Sequence, residues 1–160
     1  MPSGRVHSAT SAILSAGLYY GASQAGYPVA HCAALAGGCL AGILLTPDLD
    51  VDRGSISDAH ARRLGGCALG LLWSLIWKPY AYIVPHRSPL SHAPLIGTCL
   101  RLGYLVLVGM IFIGIFKITG VSLPDLPAWW PWAFTGLALS DLLHFILDNT
   151  IRSKKRAKPY

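Results

Sequence analysis

Apolar residues run along this chain in long blocks, and the blocks are cut by short clusters rich in Pro, Asp and His. Blocks of that length predict helices rather than strands. The stretch from Ser8 to Gly26 is weakly apolar and rich in Ala, Ser and Gly, and it predicts a first helix. Pro28 to Thr46 predicts a second, long enough to cross a hydrocarbon core of about 30 Å at about 1.5 Å per residue. Leu64 to Trp77 is strongly apolar but short, and Lys78-Pro79 follows it, which suits a re-entrant or interfacial helix. Leu100 to Ile118 is the clearest spanning segment, and a last span runs from the Trp129, Trp130 and Trp132 anchor to about Leu147. Trp77, Tyr80 and Tyr82 suit the headgroup level. Gly17 and Gly21, Gly38 and Gly42, and Gly66 and Gly70 repeat the spacing that lets helix backbones approach. The expected fold is an all-α polytopic membrane helical bundle of about four spanning helices plus one short re-entrant or interfacial helix. Residues 1–151 form one membrane-embedded metal-binding domain, and 152–160 a basic cytoplasmic tail.

Composition sharpens that picture. Hydrophobic residues make up 53% of the chain and charged residues 12%, more apolar than the roughly 45–50% of ordinary soluble domains. All of the acidic residues are Asp, and most fall in two groups, 48 to 52 and 141 to 148. That clustering points to ligation rather than to solubility. The net charge of +6 comes largely from Arg152 to Lys158. Following an apolar segment, such a tail is a topogenic signal and a contact for anionic lipids; no specific nucleic acid is expected. Cys32, Cys39, Cys67 and Cys99 lie inside apolar runs without CxxC spacing and read as small core residues.

Three polar clusters carry candidate chemistry. Pro85 to His92 gathers His86, Arg87, Ser88, Ser91 and His92 between prolines, so an irregular loop is expected there. Neutral imidazole is the commonest protein metal ligand, and Arg is the natural partner of phosphate. Thr46-Pro47 ends the second helix and delivers Asp48, Asp50 and Asp52, which share one side if the segment is extended. An EF-hand loop needs Gly at its sixth position and Glu at its twelfth; Arg53 and Ala59 stand there, which excludes it. In the last span Asp141, His144 and Asp148 fall within an arc of roughly 60° at 100° per residue. Ionisable groups on one stripe of an apolar helix are functional by default. Arg53 to Arg63, with His60, reads as a solvated loop, and His31 lies at the far end of a span.

The positive-inside rule places the basic tail in the cytoplasm and the Trp-rich loop outside. If Leu64 to Trp77 does not cross, both termini and all three clusters lie at the cytoplasmic face of a bacterial-type inner or plasma membrane.

With these residues in view, the chain resembles a family of uncharacterised membrane-associated metal-binding proteins. Its members open with M-P-S-G-R-x-H, here Met1 to His7, and carry a P-D-L-D step, here Pro47 to Asp50. They continue with H-R-S-x-L-S-H-x-P-x-I-G-T-x-L-R, here His86 to Arg101. More distantly the chain is similar to the YdjM-type inner-membrane metal-dependent hydrolases, and through them to the zinc-dependent phospholipase C and P1 nuclease group. The resemblance implies a helical protein with a multinuclear zinc site in which His144 and Asp148 form a His-x-x-x-Asp ligand pair. That remote group also ligates through a processed N-terminal residue; here His7 stands nearest that role.

The function expected is a membrane-bound metal-dependent hydrolase of a phosphoester or phospholipid-like substrate. His7, Asp48, Asp50, His86, His92, His144 and Asp148 would hold one or more divalent ions, Zn²⁺ first among them. Asp50 would orient or deprotonate a water, and Arg87 would brace a phosphate oxygen bidentately. The alternative is a non-enzymatic metal-binding membrane protein with a structural, sensing or transport role. Transport needs ligands near the bilayer midplane, which the single-face grouping disfavours.

Overall fold

The computed structural model describes residues 4–50, 55–85, 88–117 and 126–156, and every regular element among them is helical. Helix α1 runs Gly4–Gln24, α2 Val29–Ala41, α3 Ile56–Ile83, α4 Pro89–His92, α5 Pro94–Lys117 and α6 Trp130–Arg156, with a 3-10 turn at Pro47–Asp50 between α2 and α3. The all-α expectation agrees with this architecture.

The crossings are where sequence and structure part. Among the described residues one helix, over Pro94–Ile111, is long and apolar enough to cross a membrane, by length and composition. The span expected over Pro28 to Thr46 is a helix of only 13 residues, about 20 Å at 1.5 Å per residue. Turns from Gly42 to Leu45 replace its last part. The solvated loop expected up to Arg63 is helical from Ile56, because the Ser55 side chain caps it by accepting from the Asp58 N–H at 3.1 Å. The short helix expected over Leu64 to Trp77 is part of α3. Its start survives as a break at Gly65 and Gly66, where Gly66 takes φ +68, a left-handed conformation that disfavours side chains. Its end does not survive, since α3 continues through Pro79 to Ile83. The irregular loop expected from Pro85 to His92 gives way to helix at Pro89, and Pro94 likewise opens a helix, each at the position where a missing N–H costs nothing.

Aromatic residues expected at a headgroup layer instead build a core. Trp77 and Tyr80 are buried with Leu49 and Val84, and Tyr104 packs against them. Trp77 meets Tyr80 edge-on with centroids 5.4 Å apart, a preferred aromatic geometry. Tyr82 alone of that trio is exposed. This cluster fastens α3 and α5 to the 3-10 turn that carries Asp48 and Asp50.

Helix α2 packs chiefly against α6 and α1. The approach is close because glycines face it: a Cβ on Gly136 would lie 1.9 Å from the Leu35 carbonyl oxygen, and one on Gly38 1.9 Å from that of Ala133. The Gly38 and Gly42 spacing is thus used, whereas Gly17 and Gly21 meet nothing within 4 Å. Gly136→Ala should lower unfolding stability by about 3 kcal/mol, the upper end for overpacking, because backbone rather than a flexible side chain must yield. Gly17→Ala should not, and parallel denaturant melts of the two variants check it.

Candidate metal centre

Four separate elements place His and Asp side chains at one point. His7 comes from the first turns of α1, Asp48 from the 3-10 turn, His92 from the end of α4, and His144 and Asp148 from one face of α6. His7 Nε2 lies 3.2 Å from Asp148 Oδ1, and the His7 and His144 rings stack with centroids 3.8 Å apart. His144 Nε2 lies 3.9 Å from Asp148 Oδ2 and 3.9 Å from Asp48 Oδ1. His92 Nε2 lies 3.7 Å from the same Asp48 oxygen. Two ligand groups result, His7 with His144 and Asp148, and Asp48 with His92 and His144, each with its donor atoms within 4.8 Å. His144 belongs to both.

Donor type and spacing fit a divalent cation. Bonds of about 2.1 Å in a tetrahedral site set donor atoms about 3.4 Å apart, and the pairs above span 3.2 to 3.9 Å. The buried His7 Nδ1 makes no hydrogen bond among the described residues, an unpaired buried nitrogen of the kind that calls for an explanation. Burial pushes the His144 imidazole down to about 4, leaving it neutral at pH 7 with a lone pair to donate. Burial works against ionisation of Asp48, but the hydrogen bond with His92 leads the opposing effects and holds its carboxyl below its ordinary value.

Of the expected residues, the structure brings together His7, Asp48, His92, His144 and Asp148. Among the described residues Asp50 is in neither donor group: its Oδ2 is 3.6 Å from His92 Nδ1, on the other nitrogen of that ring, and its side chain is fully buried. His86, Arg87 and Asp52 lie outside the described residues. His60, expected on a solvated loop, lies half-buried on α3 with its Nε2 3.2 Å from Ser8 Oγ. His31 stacks on Trp132, at the end of α2 remote from the 3-10 turn.

Sequence reasoning missed Arg101. It is fully buried on α5 and forms an ion pair with Asp141, which also accepts from Thr98 Oγ1. Asp141 shares a stripe with His144 and Asp148, yet it is committed to this pair. A signal existed: a lone Arg in the apolar run from Leu100 needs a buried partner, and Asp141 is the acid that interrupts the next apolar run.

Neither a curated protein nor a solved structure matches the chain. A family model does match, over residues 2–158, and its description is uncharacterized metal-binding protein (DUF2227). With a His/Asp cluster of metal-ligand spacing inside the matched region, the chain belongs to this family of metal-binding proteins.

Proposed function

We propose that the protein is a metal-dependent hydrolase of phosphoesters, attached to a membrane through α5. A cavity beside the ligands carries the hydrolytic part of this proposal. It has a volume of about 20 Å³ and is lined by His7, Asp48 and His144 together with Thr46 and Ser140. That is room for one water. A structural site is closed by protein ligands, while a catalytic one keeps a position for water or substrate. The Asp48 side chain is 37% exposed, so the cluster is open to a larger molecule on that side.

A divalent ion held here would supply hydroxide at neutral pH by lowering the pKa of its bound water to about 7. The chain's own residues do the rest. His7, Asp48, His92, His144 and Asp148 offer the donors, and imidazole with carboxylate suits zinc among the first-row divalent metals. Asp50 lies behind His92, with its Oδ2 3.6 Å from Nδ1. Arg87 braces a phosphate oxygen through its planar fork. The order of Asp-x-Asp, His-Arg and His-x-x-x-Asp, shared with the YdjM-type inner-membrane hydrolases, supports this reading, with the zinc phospholipase C and P1 nuclease group a remote link through them. Leu95, Ile96, Val106, Leu107, Met110 and Ile111 are exposed on α5, a contiguous apolar surface of the kind that meets lipid.

Purified protein should turn over a soluble chromogenic phosphodiester only with a divalent ion present, and chelation should abolish turnover. Arg87→Ala should keep the metal and lose about 10²-fold or more in kcat, as removal of a donor to transition-state charge does. Metal-loaded protein that turns over neither phosphomonoesters nor phosphodiesters would overturn the enzymatic reading and favour a non-enzymatic metal-binding role.

A further inference from the structure

His92 is carried by an element too short to hold its own shape. Helix α4, Pro89–His92, is a single turn, and one turn of helix does not persist alone. The place of His92 at the cluster is therefore set by what α4 packs on, α5 and the 3-10 turn. On α5 the contact is made at Gly97 and Arg101. A Cβ at Gly97 would lie 2.3 Å from the Ser91 carbonyl oxygen, so the missing side chain lets that oxygen reach the helix surface. Arg101 Nη1 donates to the same oxygen at 3.1 Å, and Ser91 immediately precedes His92.

The rest of the guanidinium faces α6. Arg101 Nη2 pairs with Asp141, which also accepts from Thr98 Oγ1, and Asp141 stands one turn before His144. Ser91, Thr98, Arg101 and Asp141 are all buried. One planar fork thus joins the residue beside His92 to the stripe that carries His144 and Asp148. A buried ion pair stabilises little more than apolar residues of similar volume would; its best-attested use is to set the register of the elements it joins.

We propose that Arg101 is a positioning residue: anchored on Asp141, it holds the Ser91 carbonyl and so sets the His92 ring against that of His144, with centroids 6.1 Å apart, for a shared ion. The proposal rests on the metal-centre reading above, and it assigns Arg101 no contact with metal or substrate.

Zn²⁺ titration of the full chain tests it in the wild type, in Arg101→Met/Asp141→Leu, in His92→Ala and in the triple variant. The double replacement removes the anchor and leaves no unpaired charge, while Thr98 Oγ1 keeps its bond to the Pro94 carbonyl. It should weaken Zn²⁺ binding about 10-fold, the lower end for loss of a partner behind a ligand. On the His92→Ala background the same replacement should cost less than about twofold, because the residue it positions is gone. Gly97→Ala, which displaces the Ser91 carbonyl and leaves both charges in place, should show the same dependence on His92, and it decides the matter if the double variant does not fold. Zn²⁺ affinity unchanged by these replacements overturns the proposal. So does an equal loss with and without His92, which is what a purely structural role produces. A wild-type chain that binds no Zn²⁺ overturns the metal-centre reading and takes this proposal with it.

Discussion

Replacing His144 with alanine removes most of the bound metal, while replacing His31 leaves it in place. The expectation follows from the position of His144 in the cluster. Its Nε2 faces both Asp48 and Asp148 at 3.9 Å, so it belongs to each of the two ligand groups. Any other single substitution leaves one group whole. Partners behind a ligand cost about 10–100-fold in affinity when removed, and a ligand common to both groups should cost at least the upper end of that range. His144→Ala should also free the His7 ring, which has lost its stacking partner. Elemental analysis of the purified variants, followed by competition with a chromogenic chelator, gives the result. Equal metal content in His144→Ala and His31→Ala would mean that the cluster is not the site.

Arg101→Met should cost roughly 3–5 kcal/mol of stability, the range for stripping one partner from a buried ion pair. Asp141 would then be buried beside Thr98 with its charge uncompensated. Burial already pushes its carboxyl up to about 6 against the pull of Arg101, so the pair brings little net stabilisation. Pairing Arg101→Met with Asp141→Leu should therefore recover most of the loss, as apolar replacements of similar volume do elsewhere. Denaturant melts of the single and double variants check both expectations. A single variant as stable as wild type would contradict the burial of an unpaired charge.

The ligand types were legible in the sequence because the chain spends so few charges. Asp48, His144 and Asp148 stand out against apolar neighbours, and the helical stripe from Asp141 to Asp148 follows from periodicity alone. The length of the second helix was not legible. Composition reads continuously from Pro28 to Thr46, whereas the helix ends at Ala41 and Gly42 packs closely against Ser140. The aromatic residues misled for a similar reason: Trp77 and Tyr80 have the same chemistry at a headgroup layer as in a core, and the partners that decide, Leu49 and Tyr104, are distant in sequence. Asp50 was read as a ligand by its type and spacing. Its place beside Nδ1 of His92 depends on how a 3-10 turn meets α4, which no local pattern encodes.

His7 lies near one end of the chain and Asp148 near the other, with 3.2 Å between their side chains. An ion gripping both would fasten α1 to α6 directly, beside the packing of each on α2. Loss of the metal would accordingly loosen α1 against α6, so that protease sensitivity in α1 would serve as a gauge of metal supply.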